Sequence, residues 1–412
     1  MAGPCPTIYA RLAHQVGDFS CRTANPFINL RDPFHLTSWT QPVVEAVMIV
    51  GAILALWDAV RRRRRTGDPT GLALWLAAVL YVAILEPPLY FPEESGLQNQ
   101  VGLIFVHNVF TVQFLYDRLP LYIVAVYPAM AYLAYRLVAS LGVFERNGDL
   151  AGAVCVGFVH QCFYEIFDNL GPQLRWWIWN PAAKTNAPAL AAVPLSSLVL
   201  FGTVGPCALT LLIRYLVARP ARSRSTPAGA GARRSAAWSS MPWSSVAWRT
   251  VLAAVLVPVG LLAGGIPSSL ATIGGRHLEA DEIVLWAELA LFAATAIVAV
   301  TRAVTSGPTG DSSGGDGDGD GDGDRRKNGY LYLHAAVYLG TFALLWGAAL
   351  PAYADARRGI TSQGTPIGSL PYAAGCALVC VALLYLAFRA ASGASYRSRP
   401  LALAGGHPDG AV

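Results

Sequence analysis

"QPVVEAVMIVGAILALWDAVRRRRR", Gln41 to Arg65, decides the fold. Its apolar stretch is close to the roughly 20 residues that a helix needs to cross a bilayer, and it stops at five consecutive arginines. Such a run is a membrane span whose basic end is held on the cytoplasmic side. Comparable apolar runs recur as far as Arg389, and charged residues make up only 13% of the 412-residue chain, against about 25% in a soluble protein. The membrane part is therefore the bulk of the protein and not an anchor on a soluble domain.

Apolar length and breaker residues predict an all-α, polytopic transmembrane bundle of about nine spans, at 41–60, 71–90, 120–142, 150–169, 195–217, 246–265, 281–302, 330–351 and 371–389. Residues 1–40 read as a polar, loop-like external tail with no cleaved signal, so that the first span also directs insertion. Spans one to five form a first membrane bundle (41–218), and 219–245 a flexible basic linker. Spans six to nine form a second bundle (246–389) carrying a Gly-Asp linker at 304–328, and 390–412 is a tail. Arg61–Arg65 put the N-terminus outside the plasma membrane and the C-terminus in the cytoplasm. Arg146, the arginines of 219–249, Arg325-Arg326-Lys327 and Arg397 with Arg399 then fall on the same side.

"VGLIFVHNVFTVQFLYDRLP", Val101–Pro120, is too short for an easy crossing, its apolar core covering roughly 24 Å as helix. If it crossed, the basic linker would lie outside, so it is predicted as a re-entrant or interfacial helix on the outer side. On that helix Gln100, His107, Thr111 and Arg118 would share an arc of about 40°. "GGDGDGDGDGD", Gly314–Asp324, resembles a calcium loop, but registers from Asp316, Asp318 and Asp320 put Lys327, Gly329 and Leu331 where an EF-hand needs Glu. It reads as a solvated linker.

The net charge of +5 is carried by arginines at span ends, where it sets orientation. Membrane lipids are the partners this implies and nothing points to nucleic acid; protein partners and cofactors stay open, and a metal held by His160 and His107 with the carboxylates is the less favoured version because no HExxH or comparable paired spacing supports it. Five cysteines (155, 162, 207, 376 and 380) lie in apolar spans as small hydrophobes. Cys5 and Cys21 share the external tail, where they could form a disulfide.

The candidate site is in "HQCFYEIFDNLGPQLRWWIWNP", His160–Pro181. With His160 at zero on a helical wheel, Tyr164 falls near 40°, Asp168 near 80°, Gln161 near 100° and Glu165 near 140°. Phe158, Phe163 and Phe167 take the opposite arc. Ionisable groups at this depth normally face the bundle interior or a wet cavity. Topology brings Glu45, Glu86, His107 and Arg118 to the same level. An internal ion-pair network that only holds helices together is the structural alternative. After the helix, Arg175, Trp176, Trp177 and Trp179 read either as an aromatic interface anchor or as a ledge for an amphipathic ligand, with Arg175 on an anionic head group.

The segment "YEIFDNLGPQLRWWIWNP" together with "SCRTANPFINLRDPF", Ser20–Phe34, resembles a family of multi-pass membrane proteins of high-GC bacteria, a domain of unknown function. The resemblance covers spans one to five best and implies no catalytic residue. From the residues alone, the leading expectation is an integral membrane enzyme acting on a lipid or isoprenoid at the outer leaflet. Glu165 and Asp168 would be its acid/base pair and His160 and His107 its proton shuttles. Gln161, Tyr164, Arg118, Glu86, Glu45 and the Arg175–Trp179 segment would bind substrate. A proton-coupled transporter and a non-catalytic scaffold or sensor are the alternatives.

Overall fold

The computed structural model describes residues 5–223, 241–271, 278–305 and 328–397. Most of the basic linker, the Gly-Asp repeat, the Arg325-Arg326-Lys327 triplet and Arg399 lie outside the described residues. Among the described residues nine helices are long and apolar enough to cross a membrane. They are α2 (Thr40–Thr66), α3 (Thr70–Tyr90), α4 (Leu121–Ser140), α5 (Val143–Asp168), α6 (Ser197–Ala221), α7 (Trp243–Ala271), α8 (Leu278–Thr305), α9 (Gly329–Ala354) and α10 (Leu370–Arg397). The chain is a polytopic helical membrane protein.

α2 runs through its arginine block and ends at Gly67, whose left-handed φ of 75° lets its N–H close on the Arg63 carbonyl. The block stays helical because its side chains find partners: Arg63 lies over the Trp243 ring of α7 and Arg61 over Trp57. At the same end of the bundle Arg136 of α4 pairs with Asp58 of α2 at 2.9 Å, and Arg214 and Arg219 of α6 pair with Asp149 of α5 at 2.6 and 2.8 Å. These contacts tie alternate helix ends together across the face opposite the N-terminal segment.

α4 and α5 form the centre; the most apolar stretches of these two spans are 83% and 72% buried, against 28% in α7, α8 and α10. Tyr338 and Trp346 of α9 donate to the carbonyls of Phe163 and Ile166, and Gln161 of α5 donates to Tyr372 of α10. Both groups of spans therefore pack on α5. The exposed sides of the later helices carry residues such as Val255, Leu262, Leu291 and Leu378, as a lipid-facing surface should.

Two expectations about the N-terminal face are corrected. Residues 7–17 are not loop but a helix, α1 (Thr7–Gly17), whose Tyr9, Leu12 and Val16 pack with Cys21, Leu103 and Val106, and Cys5 is bonded to Cys21. Residues 101–120 are not a re-entrant or interfacial helix. They form the strands β2 (Phe105–His107), β3 (Val112–Phe114) and β4 (Leu119–Pro120), so the helical stripe of Gln100, His107, Thr111 and Arg118 does not exist. The reason is that distant groups satisfy this backbone better than a short helix could. β3 pairs with β1 (Ile28–Leu30), β2 pairs with β5 (Trp177–Trp179), and the Glu45 carboxylate accepts the N–H groups of Thr111 and Val112 at 3.1 and 3.2 Å.

Candidate functional site

The β2–β5 ladder builds the roof of the site. In register, Phe105 faces Trp179, Val106 faces Ile178 and His107 faces Trp177. Because side chains alternate across a strand, Val106 and Ile178 turn towards α1, while Phe105, His107, Trp177 and Trp179 turn the other way and line a cavity of about 40 Å3. Its walls come from the spans: Glu86 of α3, Tyr127 of α4, Tyr164 and Asp168 of α5, and Phe201 of α6. The space suffices for a few waters or the reacting end of a longer molecule. Phe105, Tyr127, Tyr164, Trp179 and Phe201 are only half-buried and mark its mouth.

Polar atoms here are only partly satisfied. Tyr127 donates to Glu86 Oε1 at 2.6 Å, but Glu86 Oε2 is buried without a hydrogen-bond partner among the described residues. Ser197, at the start of α6, donates to Asp168 Oδ2 at 2.9 Å. His107 Nδ1 lies 3.2 Å from the Tyr122 hydroxyl, while His107 Nε2 and the indole N–H groups of Trp177 and Trp179 are also buried without a partner among the described residues. Full burial pushes the His107 pKa down to about 3, so the imidazole is neutral. The Tyr122 hydroxyl can donate to Nδ1, in which tautomer the ring proton sits on Nε2. Among the described residues no lysine or arginine lines the cavity. Unpaired buried polar groups each cost about 1–3 kcal/mol, which marks the cavity as built for something other than packing.

Six of the residues singled out from the sequence thus converge: Asp168, Tyr164, His107, Glu86, Trp177 and Trp179. The others lie elsewhere. The start of α6, a π-helical run over Ser197–Val204, packs onto the polar face of α5 and divides it. His160 donates from Nδ1 to the Gly202 carbonyl at 2.7 Å and stacks on Tyr164. Glu165 accepts from Asn169 at 2.8 Å on Oε2, leaves Oε1 unpartnered, and does not line the cavity. Gln161 is turned to Tyr372 at 2.5 Å.

Glu45 pins the β2–β3 turn and Arg118 reaches the Tyr90 carbonyl between the rings of Tyr9 and Phe91. Arg175 donates to the Gln363 carbonyl at 2.7 Å. Trp176 is fully buried, stacked on Phe167 and bonded to Thr40 Oγ1 at 3.0 Å, so neither an interface anchor nor a ligand ledge describes it. Tyr127 and Tyr122 escaped the sequence reading because α4 has no charged residue before Arg136 to set one face apart. Their only signal is a tyrosine every five residues, at 122, 127 and 132. Compared with models of known families, with curated proteins and with solved structures, the chain matches none of them.

Proposed function

We propose that this protein is an integral membrane enzyme doing acid/base chemistry on a lipid or isoprenoid substrate, with Asp168 and Glu86 as the carboxyl pair. One observation carries this: two carboxyls from different helices line, with a neutral His107, a small, aromatic-walled cavity in which some polar atoms lack partners among the described residues. Glu86 takes the place expected of Glu165. One carboxyl donates a proton to the substrate and the other removes one, while the Nε2–H of His107 and the indole N–H groups hold an oxygen of the substrate. Positive charge developing on an apolar chain is stabilised by the faces of Phe105, Trp177 and Tyr164.

A lipid-soluble substrate fits the position of the mouth. Glu86 and Phe201 each lie four residues inside the N-terminal-face end of their spans, about 6 Å along the helix, near the boundary of head groups and acyl chains. The N-terminal face is proposed to be the outer face of the plasma membrane. Arg61–Arg65, Arg136, Arg146, Arg214 and Arg219 gather at the opposite helix ends, and the Cys5–Cys21 disulfide suits an oxidising compartment.

A proton-coupled transporter is the second reading. It is favoured by a polar cavity of about 370 Å3 at the other end of α4, lined by Arg62, Tyr132, Arg136 and Arg214. Mass spectrometry of lipids from cells expressing wild type or Asp168→Asn separates the two. An enzyme changes a lipid species; a transporter changes pH-driven flux and leaves lipids alone.

A further inference from the structure

A third cavity, of about 420 Å3, opens between α5, α8 and α10 and shares no lining residue with the cavity of Glu86 and Asp168. It is made by small residues, Ala290 and Ala293 on α8 and Gly375 on α10, where larger side chains would close the gap between helices. Its wall holds no charged side chain. Every residue lining it belongs to a membrane-spanning helix, so what fills it comes from the hydrocarbon phase.

The cavity has a polar end and an apolar end. Along α10 it runs from Pro371 to Val379, eight residues or about 12 Å, and Trp286 and Ala293 mark the same direction on α8. At the N-terminal-face end Gln161 Nε2 donates to the Tyr372 hydroxyl at 2.5 Å. That bond uses the phenol oxygen as acceptor and leaves its proton free to be donated. Trp286 packs edge-on against Tyr372, ring centroids 6.1 Å apart, and fixes the phenol there.

We infer that this cleft is a binding site for one single-chain lipid that ends in an uncharged oxygen, the chain lying along α8 and α10 and the oxygen accepting from Tyr372. A phospholipid does not match: its charged head group would find no counter-charge here, and two chains exceed one slot. An isoprenoid alcohol and a straight-chain fatty alcohol share the required chemistry. The site stands independently of the acid/base reading.

Occupancy is read by native mass spectrometry of the full-length protein, stripped of lipid by detergent exchange and titrated with one lipid at a time. Farnesol or hexadecanol is retained as a one-to-one adduct, the tighter of the two naming the chain type, and dioleoyl phosphatidylcholine is not. Gly375→Leu puts a side chain into the slot, at a position where a Cβ meets nothing within 4 Å, and abolishes the adduct of both alcohols. Tyr372→Phe weakens retention about fivefold, the worth of one neutral hydrogen bond. No adduct with either alcohol, an adduct that Gly375→Leu leaves intact, or equal retention of the phospholipid overturns the site.

Discussion

The Tyr127 hydroxyl of α4 lies 2.6 Å from Glu86 Oε1 of α3, a hydrogen bond that orients the carboxyl, with the Tyr90 hydroxyl close to the same group. That geometry holds Glu86 in place without saturating it. Tyr127→Phe removes the donor and leaves a buried carboxyl oxygen bare. The prediction is a loss of about 1–3 kcal/mol in stability, read as a lower thermal midpoint in detergent, with function lost more severely than stability. An unchanged midpoint would mean that the two groups are not paired.

His107 makes stability depend on pH in a defined direction. Its folded pKa of about 3 lies below the ordinary value of 6.5, so between those limits the unfolded chain binds the extra proton. The contribution of His107 is therefore full above pH 6.5 and is lost as pH falls towards 3, with a slope of at most about 1.4 kcal/mol per pH unit from this group. His107→Asn should flatten that part of the midpoint–pH curve. Curves for the two proteins that stay parallel from pH 7 to 4 would show that His107 is not buried as a neutral ring.

Glu45 tests the roof separately from the chemistry. Its two oxygens accept the N–H groups of Thr111 and Val112, and Glu45→Ala leaves both donors without that partner. A destabilisation of about 2–4 kcal/mol is expected, whereas Glu45→Gln, which keeps one acceptor oxygen, should lose roughly half as much. Equal losses for the two variants would contradict the pinning role.

The spans were legible because a helix in lipid needs only a long apolar run and a charged stop, and both are local: Gln41–Arg65 carries its own boundary. The roof was not legible, because its strands pair across the chain, Phe105–His107 with Trp177–Trp179 and Val112–Phe114 with Ile28–Leu30. Both faces of the β2–β5 ladder are largely apolar, so no alternation betrays a strand. The helical wheel placed Asp168, Glu165 and His160 on one face of α5. It did not show that α6 docks onto that face, with Ser197 at Asp168 and Gly202 at His160.

Orientation is tested by labelling intact cells with a membrane-impermeant maleimide, in a background that keeps Cys5 and Cys21 and replaces the five other cysteines. Gln98→Cys, in the loop after α3, should label without permeabilisation, and Thr66→Cys, at the end of α2, only after it. The reverse pattern would invert the proposed topology and put the Glu86–Asp168 cavity at the inner leaflet.

Acid/base chemistry on a lipid at Asp168 and Glu86 is read from the lipid profile of a deletion strain complemented with wild type, Asp168→Asn, Glu86→Gln or Glu165→Gln at matched membrane levels. Asp168→Asn and Glu86→Gln are each expected to accumulate one lipid species and lose another, while Glu165→Gln, whose carboxyl does not line the cavity, keeps the wild-type profile. Wild-type profiles in both Asp168→Asn and Glu86→Gln, with the variants folded and inserted, would contradict it.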